Sequence, residues 1–567
     1  MSTSYTPPVR DITFVLEHVT DLAALAKLDS FQHADPETVR GALEEAGRFM
    51  AEVIAPTNRI GDTVGATHDG DASVTTPEPF QDAYTKFVAS GWGSVGYPAE
   101  AGGAGLPWLI GLAVQEMLTS ANMAFSLGPM LTQGAVEALL FHGSDEQKAT
   151  YLEKLVSGEW TGTMVLTEPE AGSDVGALRS KALRNDDGTY AITGTKIFIT
   201  WGEHDLADNI IHMVLARTPD APPGTKGISM FIVPKYFVNA DGSLGDRNSF
   251  KAASLEHKLG IHGSPTAVMN FDGATGYLVG EEHHGMRYMF TMMNSARLSV
   301  GLEGLAISER AYQQAREYAQ ERRQGRAIGA AKTEHSPIIE HPDVRRMLMT
   351  MKAYNEAMRC VLYATAEAFD VANNAPAEAE RAAGQEYMDL LTPIAKAWCT
   401  DLGVEMTSLA VQVHGGMGYV EETGVAQHYR DARIGPIYEG TNGIQAIDLV
   451  ARKLPMRNGR AIQDLIGRMT ALDAELAEAG DDYASLRRNL SAAVADLTAA
   501  VLWLAEHGPT DPNDALAGAT PFLRLMGTTV GGWYLARAAL AARELLQKGD
   551  GDLDFLEAKI TTARFYA

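Results

Sequence analysis

The run TYAITGTKIFIT, from Thr189 to Thr200, decides how this chain is built. Its β-branched and apolar residues, set between turn residues, read as a β-strand. Three further runs have the same texture: IIHMVLAR from Ile210, GISMFIVP from Gly227 and AVMNFDG from Ala267. Together they predict a β-domain from about Thr161 to Val279. On the N-terminal side, ADPETVRGALEEAGRFMAEVIAP and PWLIGLAVQEMLTSANM carry apolar residues at three- and four-residue steps, the mark of helices. Between them YPAEAGGAGLP, Tyr97 to Pro107, reads as a loop. Helical periodicity returns at about Gly285 and runs to Leu454, broken by a loop over Lys332 to Pro342.

A last helical block follows, with candidate helices at Ala461–Ala477, Ser485–Glu506, Phe522–Leu546 and Leu553–Tyr566. The order of helices, strands, helices and more helices predicts an α+β arrangement with segregated layers rather than alternating βαβ units. Four domains are expected, at 1–160, 161–280, 281–455 and 456–567. No internal repeat is found.

Composition excludes several function classes. A net charge of −25 argues against nucleic acid as a partner, because such binding rests on cationic contacts to phosphate. Cys360 and Cys399 are the only cysteines and have no metal-ligand spacing, which suits a reducing cytoplasm. The N-terminal residues lack the pattern of a signal peptide. The apolar stretch from Leu525 to Ala536, between Arg524 and Arg537, is too short to span a bilayer, so no integral membrane association is expected. The block from Met456 onward holds 11 basic and 15 acidic residues, which disfavours a basic membrane-binding face.

Five stretches could carry chemistry. MVLTEPEAGSDVGALRSKA, from Met164, combines hydroxyls with a proline-set turn, and exposed backbone amides there could hold an anion or a ring carbonyl; a plain turn explains it equally well. In KIFITWGEHD, Phe198 and Thr200 share a strand face by period two, suited to a planar cofactor or to an ordinary half-buried strand. QVHGGMGYVEE, from Gln412, lacks the strand and the GxGxxG spacing of a dinucleotide fold. Arg297 and Arg322 stand 25 residues apart, close to seven helical turns, and either serve two sites or are solvated charges. In GPIYEGTNGIQ, from Gly435, Glu439 has no cation within five residues, and a helix is expected to start near Thr441, with Ile444, Ile447, Ala451 and Leu454 on its apolar face. Glu439 is then either a surface carboxylate favoured by the helix dipole or a base held beside a ligand. His257, His262, His283 and His284 read as surface or loop residues. No P-loop, zinc signature or GxSxG elbow is present.

Together these motifs resemble the acyl-CoA dehydrogenase family, over roughly Arg40 to Leu454. LTEPEAGSD with Ala177, and QVHGGMGY with Arg430-Asp431, match its two signatures; Val165 and Gln427 depart from them. The YEGT turn and the arginine spacing also agree. The resemblance implies FAD as cofactor. Met164, Thr167, Gly172, Ser173, Phe198 and Thr200 then lie at the flavin. Arg322 with Gln412, Gly415 and Gly416 binds the diphosphate and adenosine of a neighbouring subunit, and Thr441 and Gly443 add contacts. The run RRQGR, Arg322 to Arg326, lacks the family's aromatic shortly after the arginine.

Arg297 and Ser173 are implied to help place an acyl-CoA substrate, with Met130 at the floor of the acyl pocket. Glu439 aligns with the family's base: it takes the α-proton while the β-hydride moves to flavin N5, giving a trans-2-enoyl-CoA. In some branches the base precedes the active-site arginine, but that position is Ala296 here.

Other features resemble an enlarged bacterial branch that includes 3-methylmercaptopropionyl-CoA and fatty-acyl-CoA dehydrogenases. The implied setting is fatty acid β-oxidation in the cytoplasm. A homo-oligomer, dimer or tetramer, would pass electrons to electron-transfer flavoprotein. An oxidase using oxygen and a non-catalytic assembly protein are the alternatives. The last block is expected to pack on the core or across a subunit contact.

Overall fold

The computed structural model describes residues 5–330 and 335–567. The chain forms two compact units. One comprises Phe49–Leu106 and Ala121–Ala296; the other comprises Met1–Arg48, Pro107–Ser120 and Arg297–Ala567.

The first unit holds the strands β1 (Trp160–Val165), β2 (Lys181–Arg184), β3 (Tyr190–Thr200), β4 (Asn209–Arg217), β5 (Ile228–Pro234), β6 (Phe250–Leu255) and β7 (Thr266–Leu278), of which β3, β4, β5 and β7 were expected. They join in the order β6-β7-β3-β2-β4-β1, and β5 pairs with both β4 and β7. The path β7-β3-β2-β4-β5 therefore returns to β7 and closes on itself. Its apolar interior includes Val165, Ile192, Val214, Phe231, Ala252 and Met269, all nearly free of solvent contact. β4 and β5 are buried along almost their whole lengths, which is why they read as continuous apolar runs instead of alternating ones. The helix Met123–His142 packs on β1, capped at its start by the Asn122 side chain.

The second unit is helical: α1 (Val9–His18), α2 (Gly285–Glu321, here from Arg297 on), α3 (Pro342–Asn374) and α4 (Glu378–His414), then the expected last block. In that block the long helices are Arg460–Ala479, Ala484–His507, α5 (Ala519–Lys548) and α6 (Leu553–Tyr566). Of the interrupting loop expected at Lys332 to Pro342, Lys332 to Glu334 lie outside the described residues; Ile338–Glu340 is a short 3-10 turn and α3 starts at Pro342 itself.

The last block is not an appendage. α5 lies against α3 and α4, and it approaches so closely that a Cβ on Gly527 would stand 2.5 Å from the Trp398 ring. α6 sends Lys559 into a buried charge cluster with Asp11 of α1 and Glu356 and Lys352 of α3. The Phe555 ring stacks edge-on with Phe14 and under the Arg10 guanidinium.

Leu525 to Ala536 is a buried part of α5, not the stretch to weigh for a membrane. The segment Asp481–His507 is long and apolar enough to cross one by length and composition, with mean hydropathy 1.2. Only 17% of its apolar window is buried, and Leu502 and Trp503 are exposed, so its apolar stripe is not fully covered within the chain.

Candidate active site

The 435–445 turn lies in the helical unit. Thr441 caps the helix Asn442–Asp448 as expected, its hydroxyl accepting from the Ile444 N–H at 3.3 Å. The apolar spacing predicts the buried face only in part: Leu454 is buried and Ile444 half-buried. Ile447 and Ala451 are exposed, whereas Asn442, Gln445, Ala446, Asp448 and Leu449 point inward. The polar residues are turned in because they organise the turn. Asn442 accepts from the Lys396 Nζ (2.8 Å) and donates to Asp401 (2.7 Å), and Gln445 donates to the Glu439 carbonyl (3.4 Å).

Glu439 takes a left-handed backbone (φ 55°), followed by Gly440 at φ 79°. Two such residues in succession make a sharp corner, and a Cβ on Gly440 would stand 2.7 Å from the Gln445 Nε2. The sequence left Glu439 without a cation nearby. The fold brings two: Arg297 of α2, whose Nη2 would lie 3.9 Å from that Cβ, and the fully buried Lys396 of α4. Burial raises the Glu439 pKa, opposed by the charges of Arg297 and Lys396. Burial likewise lowers that of Arg297 and pulls Lys396 down to about 8, both opposed by the Glu439 charge. A carboxylate with a raised pKa, presented on a strained turn beside two cations, is equipped to accept a proton. No spacing in the sequence signalled Lys396.

Arg322 follows directly on α2 and is exposed. Tyr318 stacks on His414 at 4.4 Å, which brings this end of α2 against the end of α4 that carries Gln412, Gly415 and Gly416. All three are exposed; a Cβ at either glycine would meet nothing within 4 Å. Gly443 is likewise exposed.

In the strand-bearing unit, Met164 is buried at the end of β1 and Thr167 follows in the connecting turn. The turn is held from beneath. Lys196 of β3, fully buried, donates to the Leu166 carbonyl (2.9 Å) and to Glu168 (2.8 Å), and Glu168 accepts from the Arg179 and Ser180 amides. Burial pulls Lys196 down to about 8. For Glu168 burial acts upward, but Lys196 and the donated hydrogen bonds outweigh it and the pKa is lowered. The Ile197 N–H donates to the Thr167 carbonyl at 2.9 Å, so the turn and β3 form one surface. Gly172 and Ser173 are exposed beyond it.

Period two does not set the orientation of Phe198 and Thr200. The register of β3 against β7 shifts between Lys196 and Ile199, and Phe198 sits in that bulge at φ 59°. Phe198 is 58% exposed, a flat apolar side chain held out at a backbone cost. An exposed ring suits an isoalloxazine, and, in the helical unit taken by itself, the open glycine corner at Gly415 and Gly416 suits a diphosphate. Replacing Lys196 with Met is expected to leave Glu168 an unpaired buried anion and loosen the Thr167 turn. Flavin absorbance per mole of purified protein should fall several-fold; unchanged content would show that the turn does not need its prop.

Met130 is buried in the helix Met123–His142, next to Pro129. Among the described residues no group of acidic, histidine and cysteine side chains could hold a metal ion. His262 is more than a loop residue, since its two ring nitrogens contact the Asp62 and Lys258 carbonyls.

Comparison with known proteins accounts for nearly the whole chain. Residues 36–159, 163–274 and 283–454 match the N-terminal, middle and C-terminal domains of acyl-CoA dehydrogenase, and 463–567 match "Acetyl-CoA dehydrogenase C-terminal like". The 3-methylmercaptopropionyl-CoA dehydrogenase of Ruegeria pomeroyi is 50% identical, over 100% of this chain and 95% of its own. Butyryl-CoA dehydrogenase from Megasphaera elsdenii superposes with a TM-score of 0.60 at 28% identity, covering 73% of this chain and 97% of that one. An acyl-CoA dehydrogenase from Bacillus anthracis, solved with FAD, shares the fold with a TM-score of 0.73 at 20% identity, over 94% of this chain and 85% of its own. The chain belongs to the acyl-CoA dehydrogenase family, in an enlarged branch with an added C-terminal domain, and is an oxidoreductase with FAD as its cofactor.

Proposed function

We propose that this enzyme removes the α-proton of an acyl-CoA thioester with Glu439, yielding the trans-2-enoyl-CoA. The observation that carries the reading is the Glu439 corner itself: a carboxylate of raised pKa on a strained turn, with Arg297 and Lys396 as its cations. When bound, FAD supplies the two-electron acceptor. Met164, Thr167, Gly172, Ser173, Phe198 and Thr200 hold its ring; Arg322, Gln412, Gly415 and Gly416 hold the diphosphate and adenosine of the FAD of a neighbouring subunit, and Thr441 and Gly443 add contacts. Arg297 and Ser173 orient the thioester, and Met130 lines the acyl end.

The half-identical relative makes 3-methylmercaptopropionyl-CoA the first substrate to try, among other short acyl-CoAs. Electron-transfer flavoprotein is the electron acceptor we favour, with the enzyme a cytoplasmic homo-oligomer serving acyl-chain β-oxidation. Mixing the purified yellow protein anaerobically with a panel of acyl-CoAs tests the reading. At least one member should abolish the flavin absorbance band within the mixing time of a hand-held experiment. A panel from C4 to C16, with the methylmercapto ester included, that leaves the band intact would sink it.

A further inference from the structure

Behind the base lies a second carboxylate that the reading above does not use. Glu303 sits on α2, about two turns beyond Arg297, and is only 2% exposed. On either side of it Gly301 and Gly304 let α4 come to backbone contact. A Cβ on either would stand 2.2 Å from a carbonyl oxygen, that of Ala395 or of Cys399. That closeness seals Glu303 from water and sets Lys396 beside it. The Tyr438 hydroxyl donates to Glu303 Oε2, while Oε1 is buried with no hydrogen-bond partner. Tyr438 immediately precedes Glu439, so this hydrogen bond ties the base's own turn to the centre of α2.

An ionised carboxylate in that place would be poorly satisfied, with one oxygen bonded to a hydroxyl and the other to nothing. The groups facing it are Tyr438 and Glu439 from the turn and Lys396 from α4; Arg297 lies farther along its own helix. Burial pushes the Glu303 pKa up to about 8, helped by the Glu439 charge and opposed by Tyr438 and Lys396. At neutral pH the acid form prevails.

We propose that Glu303, as a neutral acid, is a positioning residue for Glu439: it seats the Tyr438 hydroxyl and fixes the turn that presents the base, without placing a second negative charge beside it. This rests on Glu439 being the base. It gives Tyr438 a role of its own.

The test compares Glu303→Leu, Glu303→Gln and Tyr438→Phe in the FAD-loaded enzyme. Loss of the hydrogen bond in Glu303→Leu or Tyr438→Phe should slow anaerobic flavin bleaching about tenfold, the scale of one buried hydrogen bond. Glu303→Gln, which is neutral and still accepts from Tyr438, should recover most of that loss. The double variant with Glu303→Leu and Tyr438→Phe should be no slower than either single one.

A second readout needs no catalysis. Between pH 4.5 and about 8 Glu303 is protonated when folded but ionised when unfolded. Its contribution to stability is therefore lost as pH rises through that window. The wild-type melting temperature should fall more steeply there than that of Glu303→Gln. Wild-type bleaching rates in Tyr438→Phe, a Gln variant as slow as the Leu variant, or equal melting slopes would each overturn the proposal. Should Glu303→Leu fail to fold, Tyr438→Phe and Glu303→Gln still decide it. Failure of the base reading is seen separately, as near-normal bleaching in Glu439→Gln.

Discussion

Glu439→Gln is expected to keep its FAD and dock acyl-CoA while bleaching the flavin about 10²- to 10⁴-fold more slowly, the range over which a positioned general base contributes. Glutamine keeps the shape and the left-handed backbone of this corner, where φ is 55° and Gly440 continues the turn. It cannot accept the α-proton. It also removes the negative charge that offsets Arg297 and Lys396, so the two cations face each other with less compensation. That change moves binding and chemistry in opposite directions. Thioester affinity should hold or improve, because two cations remain beside the docking site, while the chemical step collapses. Equilibrium titration and stopped-flow bleaching separate the two. A Gln variant that bleaches at close to the wild-type rate would transfer the role of base to another group.

The second large effect concerns the last block. Lys559 is 4% exposed and pairs with Asp11 and with Glu356, the latter at 3.1 Å; Lys352 is the other cation of the cluster. For Asp11 burial acts upward, yet Lys559 and Lys352 together hold its pKa well below the carboxylate range. Lys559→Met keeps the length of the side chain and leaves two acids sharing one cation. Breaking a buried pair from one side costs about 3–5 kcal/mol. Against a total stability of about 5–15 kcal/mol that is a large share, and a drop in melting temperature of roughly 5 °C or more is expected.

Deleting 456–567 goes further. It removes this cation, uncovers Trp398 where Gly527 packs, and exposes the flanks of α3 and α4. The truncated chain should aggregate on expression, as judged by sedimentation of the lysate. A soluble, active truncation would show the block to be dispensable.

Much of this was legible in the sequence, and the reasons for the rest are physical. Strands such as Ile210–Arg217 announce themselves by β-branched composition, and Thr441 by its capping chemistry. The face of the helix after Thr441 was only partly legible from its apolar spacing. Asn442 is buried because its hydrogen bonds with Lys396 and Asp401 satisfy it, and Gln445 turns in to donate to the Glu439 carbonyl; those partners are distant in sequence or lie across a turn. The orientation of Phe198 depends on a bulge that no periodicity encodes. Lys396 and Glu303 were invisible for a related reason. Each lies inside a long helix with no motif around it, and only the close packing of α2 on α4 joins them to Glu439.

The Lys559–Asp11 pair spans 548 positions of sequence. At a synthesis rate of about 5–20 residues per second, Asp11 leaves the ribosome roughly half a minute to two minutes before its cation exists. The helical unit is assembled from three separate stretches of chain, and its third stretch begins only at Arg297. The strand-bearing unit has all its residues by Ala296 and can fold while synthesis continues. Until Lys559 and Phe555 are made, the acid of α1 has only Lys352 of α3 to meet it, and Phe14 lacks the ring it packs against. The order of manufacture thus makes the first helix the last to be settled, and the segment a nascent-chain chaperone would need to hold longest.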